Sequence, residues 1–136
     1  VNRWQALAGL QALTGVSAVA GGVLLAVRPD GSLLRIDPEL LRGSRFRDWR
    51  WPGLLLAGVA GGGHLGVAVL QCRHGRRVRM LSAATGLALI GFEVAEARWL
   101  GRHPLQLIFG GIGAVCVASA LTGAYTSSEQ WVSGRR

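Results

Sequence analysis

Four stretches of mostly apolar residues, at about 5–27, 51–71, 80–100 and 104–125, occupy most of this chain. An α-helix rises about 1.5 Å per residue, so a run of about 20 residues covers a bilayer core of about 30 Å. Hydrocarbon offers no water to a free N–H or C=O, so each run is expected to close its own hydrogen bonds as a helix. The links at residues 73–79 and 101–103 are too short for anything but antiparallel neighbours. The reading is an all-α fold: an integral membrane, up-down-up-down four-helix bundle. It forms a single transmembrane domain over residues 1–136, with a short interfacial segment in the first loop, residues 28–50.

Composition agrees. With half its residues hydrophobic and 16% charged, a chain this small could not cover four such runs with polar surface in water. Its 21 glycines suit transmembrane helices better than soluble ones. The first run, with Arg3 ahead of it and Ala18-Val19-Ala20 inside it, has some marks of a signal peptide. Its apolar stretch is too long for one, and it reads as a retained helix.

The formal charge of +8 raises nucleic acid as a partner. All the basic residues are arginines, however, and they lie between or beside the apolar runs instead of along one polar face. Arginines at helix ends lay their stems in apolar surroundings and reach phosphates with their heads. The expected partner is therefore the lipid bilayer, and not nucleic acid. Four arginines crowd the short link at 73–79, whereas those of the first loop are spread among Asp30, Asp37, Glu39 and Asp48. Short basic loops favour the cytoplasmic side. This predicts a multi-pass protein of the cell membrane with cytoplasmic termini.

The first loop carries local signals. Pro29-Asp30-Gly31 reads as a turn. Asp37-Pro38-Glu39 reads as N-cap, first helical residue and early acid, with Gly43 as the stop. Leu40 and Leu41 are expected to face the membrane surface, followed by Phe46, Trp49 and Trp51 as anchors. Trp4, Trp99, Tyr125 and Trp131 mark the other helix ends, at the headgroup level that such side chains favour.

Polar residues inside the runs are the candidates for function. Glu93 and Glu96 stand three apart on one helix face, and Glu93 lies about 10 Å from the helix end near Leu100. An ionisable residue at membrane depth points to function by default. The pair reads either as a proton-carrying or cation-binding site, or as buried polar contacts bonded to Gln106, Arg98 or the first loop. His64 is offset from Glu93 by roughly 9 Å in depth, and it reads as an interhelical hydrogen-bonding group. His74 and His103 fall in arginine-rich links and read as solvated.

Gly61 to Gly66 matches GxGxxG, but in the middle of an apolar run, with no strand before it to form a dinucleotide site. Gly58, Gly62 and Gly66 read instead as a double GxxxG for close helix packing. Gly91 with Ala95, Ala18 with Gly22, and Gly110 with Ala114 and Ala118 form similar stripes. They serve contacts either within the bundle or between subunits, so a homo-oligomer or a membrane-protein partner is open. Cys72 and Cys116 form no CxxC and no metal-ligand spacing occurs, so no cofactor or metal is expected. No serine has an evident base partner, and no enzyme activity is read.

Several segments resemble a group of small bacterial four-helix membrane proteins of no established activity. They are Pro29-Asp30-Gly31-Ser32-Leu33-Leu34, the stretch from Leu40 to Trp49, Pro52-Gly53-Leu54-Leu55-Leu56, Gly61-Gly62-Gly63-His64, Glu93, Leu105-Gln106 and Phe109-Gly110. Arg45 stands where similar proteins carry proline. The resemblance implies the four-helix topology and an outward-facing first loop, and no chemistry. Two functions follow from the residues. The first is a structural or accessory subunit acting through helix packing. The second is a small proton- or cation-coupled channel or transporter using the intramembrane carboxylates.

Overall fold

The computed structural model describes residues 3–73, 75–99, 101 and 104–133; of these, the side chains of Cys72, Trp99, Pro104, Leu105 and residues 123–133 fall outside the description. The expectations for His74, His103, Trp99, Tyr125 and Trp131 lie outside the described residues.

The described chain is helical, with no strand among the described residues. Four long helices occur: α1 (Arg3–Val27), α2 (Arg50–Leu70), α3 (Arg76–Trp99) and α4 (Pro104–Ser133). Three helical segments, Arg3–Val27, Arg50–Leu70 and Arg76–Arg98, are long and apolar enough to cross a membrane. The described apolar stretch of α4 is Gln106–Thr122. The helix itself continues to Ser133, past the apolar boundary expected near 125. Backbone hydrogen bonding does not stop where hydropathy falls.

Helix α2 is not uniform. It is α-helical at Arg50–Leu55 and Gly62–Leu70 and π-helical at Leu56–Gly61. Such a segment turns everything after it relative to an ideal α register.

Helices α1 and α2 pack along most of their length, as do α3 and α4; contact between the two pairs is lighter. The buried residues of α1 (Leu7, Gln11, Thr14, Gly15, Ala18, Gly22 and Leu25) recur at steps of three and four, the seam of helices that pack side by side. Glycine brings the backbones together. A Cβ on Gly15 would stand 3.0 Å from the Gly61 carbonyl oxygen, and one on Gly53 would stand 2.6 Å from the Gly22 carbonyl oxygen. The low-numbered end of α1 thus meets the high-numbered end of α2, so the pair is antiparallel. In the other pair, a Cβ on Gly86 would stand 2.6 Å from the Gly113 oxygen, and one on Gly113 would stand 2.7 Å from the Gly86 oxygen.

These contacts separate the two uses that the sequence left open for the small-residue stripes, since most of the stripe glycines have no close neighbour within the chain. Gly58, Gly66, Gly91 and Gly110 have nothing within 4 Å of a would-be Cβ, and Gly62 has only the Ala57 oxygen at 3.9 Å. Gly58, Gly62, Gly66 and Gly91 are exposed. A four-residue spacing shows that one helix face is smooth, not which way it turns. The buried seam of α2 runs through Gly53, Ala60, Gly61, His64 and Val67, on another face.

The first loop folds into two 3-10 turns, Ser32–Leu34 and Pro38–Leu41. Asp30 closes the Pro29-Asp30-Gly31 turn by accepting from the Ser32 amide at 3.1 Å and the Ser32 hydroxyl at 2.8 Å. Those two bonds hold the Asp30 carboxyl below its ordinary pKa. Asp37 caps the second turn through the Glu39 amide at 2.9 Å, the role its place before Pro38 predicts. The Trp49 amide donates to the Pro29 oxygen at 2.9 Å, joining the two ends of the loop.

Leu41 and Trp49 do not face outward as expected. Both are buried with Leu25, and Ile36 and Phe46 pack against them. A loop pinned at both ends can build a small core of its own, and these side chains are its contents. Trp51 is 64% exposed and keeps the outward position expected of it.

The glycine contacts predict unequal tolerance to bulk. Gly86→Leu is expected to lower unfolding free energy by about 1–3 kcal/mol, the usual cost of overpacking. Gly58→Leu is expected to change it by less than about 0.5 kcal/mol. Thermal melting of both variants in the same detergent checks this.

Candidate functional site

Helix α3 buries Val78, Ser82, Gly86, Leu89 and Glu93 at steps of three or four. The same seam that packs the helix therefore carries a carboxylate inward. Glu93 is 8% exposed, and among the described residues nothing forms a hydrogen bond or ion pair with it. Glu96, one turn on, is half-buried.

Both carboxylates line a cavity of about 240 Å³ where the two helix pairs meet. Its wall includes Thr14 and Ser17 of α1, Leu56 of α2, Phe92 of α3, Phe109 of α4, and Leu34 reaching in from the first loop. No basic side chain lies among these lining residues. The cavity lies between the two helix pairs, which meet each other more lightly than the helices meet within each pair.

A second cavity, of about 170 Å³, lies under the first loop. Phe46 and Trp49 of the loop, Leu55 of α2, and Phe92, Ala95 and Glu96 of α3 form much of its wall. Phe92 and Glu96 belong to both cavities. The Trp49 indole N–H is buried and has no acceptor among the described residues.

The other candidate residues are placed apart. Gln106 donates to the Gly101 carbonyl oxygen at 2.9 Å, across the turn that Gly101 makes at φ 73°. It closes that turn and does not bond Glu93. Arg98 is exposed and forms no ion pair with either carboxylate. The expected tethering of the acid pair by Gln106 or Arg98 is therefore corrected. The acids point into the interior, whereas Gln106 and Arg98 sit at the helix end.

His64 is 1% exposed and lines neither cavity. Its Nδ1 is 2.8 Å from the Ala60 carbonyl oxygen. A carbonyl only accepts, so Nδ1 carries the proton and donates. The bond returns to the histidine's own helix, where an interhelical one was expected. Nε2 is buried without a partner among the described residues. No group of three or more metal-ligating side chains occurs among the described residues.

A polar cluster that the sequence did not single out surrounds Gln11. The Gln11 amide donates to Ser82 Oγ at 2.8 Å and approaches Cys116 Sγ at 3.7 Å; its oxygen accepts from the Gln71 amide at 3.1 Å. Gln11 is completely buried. A signal was present in the sequence: Gln11, Ala18 and Leu25 stand seven apart, and Ala18 belongs to a small-residue stripe already recognised. Uncharged polar residues within apolar runs bond across helices, and that rule, applied to Gln11, finds the cluster.

No protein-family model matches the chain, and no curated protein or solved structure is detectably similar to it.

Gln11→Leu leaves Ser82 and Gln71 without this partner and is expected to cost about 1–2 kcal/mol. Adding Ser82→Ala should recover part of that loss, because the serine then no longer needs an acceptor or donor. A double-mutant cycle from denaturation in mixed micelles reads the coupling between them.

Proposed function

We propose that this chain is a multi-pass protein of the cell membrane that crosses it four times, up-down-up-down, and acts as a small proton- or cation-coupled channel or transporter. The distribution of side chains supports the membrane reading. The largest fully buried side chains are His64, Gln11, Cys116 and Ser82, while Leu13, Val16, Val69, Leu107 and Leu121 face outward. Polar side chains among the most deeply buried, with an apolar exterior, suit hydrocarbon as the surrounding solvent. The resemblance to small bacterial four-helix membrane proteins supports the same topology.

One observation carries the coupled reading: Glu93 is nine-tenths buried, unbonded among the described residues, and lines a cavity. A carboxylate kept only for structure would be expected to hold a donor. A carboxylate left open on a cavity is available to take a proton or a cation. Glu96, beside it, adds a second site for the same charge.

The accessory-subunit reading has its own support in the exposed stripe of Gly58, Gly62 and Gly66, an outer face smooth enough for a second helix. The two readings are compatible, since carriers often assemble.

In liposomes, wild type is expected to pass protons or monovalent cations, and Glu93→Gln is expected to reduce the flux to that of empty vesicles. Equal flux for the two proteins removes the coupled reading. Orientation is tested separately. We place the termini and the link at 73–79 in the cytoplasm. Gly75→Cys, in a Cys72→Ser, Cys116→Ser background, should react with a membrane-impermeant maleimide in inverted vesicles and not in intact cells.

A further inference from the structure

We propose that the two cavities form one site for an organic cation with an apolar body, its charge at Glu93 and Glu96 and its body under the first loop. The proposal rests on the reading of the carboxylate pair given above and adds the class of ligand.

The two cavities differ in chemistry and meet at shared residues. The larger holds both carboxylates with Thr14 and Ser17. The smaller is walled almost wholly by apolar and aromatic groups, Phe46, Trp49, Leu55 and Phe92 among them. Phe92 and Glu96 line both, so a bound molecule could extend from one into the other past a ring and a carboxylate. A small hydrated cation would use the carboxylates and leave the apolar cavity without purpose. A neutral lipid tail would fill the apolar cavity and leave the carboxylates uncompensated. A lipophilic cation satisfies both. Its positive centre meets two acids with no basic side chain among the lining residues to compete, and aromatic faces attract cations as well as apolar surface.

Two polar groups on the cavity walls lack partners among the described residues, one a carboxylate open to its cavity and the other a buried N–H. One is the Glu93 carboxylate, on the larger cavity. The other is the indole N–H of Trp49, whose side chain lines the smaller one. Burying the unpartnered indole N–H is costly, and the unpartnered carboxylate opens onto the cavity instead of onto a donor. Their coincidence on adjoining cavities is the mark of a site whose partner comes from outside the chain. Concave, mostly apolar cavities with few polar groups are the usual form of small-molecule sites.

The test uses the purified full chain in nanodiscs and two probes of the same shape and opposite charge, tetraphenylphosphonium and tetraphenylborate. Wild type is expected to bind tetraphenylphosphonium saturably and tetraphenylborate not at all. Glu93→Gln is expected to weaken binding by about tenfold or more, the cost of removing a charge partner from a desolvated pair. Ser17 is exposed and lines the larger cavity, so Ser17→Phe should plug it and abolish binding without touching a carboxylate. That variant keeps the proposal falsifiable if Glu93→Gln does not fold. Equal binding of the two probes overturns the proposal, as does full retention of binding in Ser17→Phe. Binding of the phosphonium that depends on Glu93, with no ion flux in liposomes, upholds this site and rejects coupled transport. Glu93-dependent proton flux with no phosphonium binding does the reverse.

Discussion

A single side-chain amide ties this fold together. Gln11 lies on α1, bonds Ser82 of α3, reaches Cys116 of α4, and accepts from Gln71 at the last turn beyond α2. Lipid tails are as apolar as leucine, so leucine burial alone gives membrane helices little reason to prefer one another. Hydrogen bonds between buried amides and hydroxyls are directional, and they single out one arrangement among many apolar ones. Close backbone approach at Gly15, Gly22, Gly53 and Gly61, and again at Gly86 and Gly113, then supplies the dispersion contact that holds each helix pair.

The Gln11 end carries bonds between helices, and the carboxylate end carries a cavity. At Gln11 a bond crosses from α1 to α3. Beside Glu93 a cavity remains, and Phe92, Phe109 and Leu34 border it without filling it. The first loop completes the second cavity because its own ends are joined by the Trp49-to-Pro29 bond and its interior is filled by Leu41 and Trp49.

Much of the architecture was legible in the residues. The beginnings of all four long helices fall within a few residues of the apolar runs, because a run of apolar side chains and the closure of backbone hydrogen bonds select the same segments. The Asp37 cap was readable because its chemistry is local, confined to Asp37, Pro38 and Glu39. Whether the GxxxG stripe packs within the chain or against another was left open by the sequence, because residue spacing determines a face, not its direction; the fold leaves Gly58, Gly62 and Gly66 exposed. The π segment at Leu56–Gly61 has no sequence signal that periodicity detects. Trp49 was read as a membrane anchor, and its burial follows from a loop closure between residues 29 and 49, a contact distant along the chain.

The sequence by itself determined that the chain is helical, where its long helices begin, and that Glu93 and Glu96 share a face; of the four membrane-length runs it offered, three are helices long and apolar enough for a membrane among the described residues. These depend on residue type and on neighbours one or two turns away. Tertiary structure alone decided that Gln11 is the tie among the helices, that Gly86 and not Gly91 meets a partner, and that the acids face a cavity instead of Gln106 or Arg98. Each of those is set by the rotation of one helix about its axis against another, and that rotation is a property of the packed molecule and not of any segment.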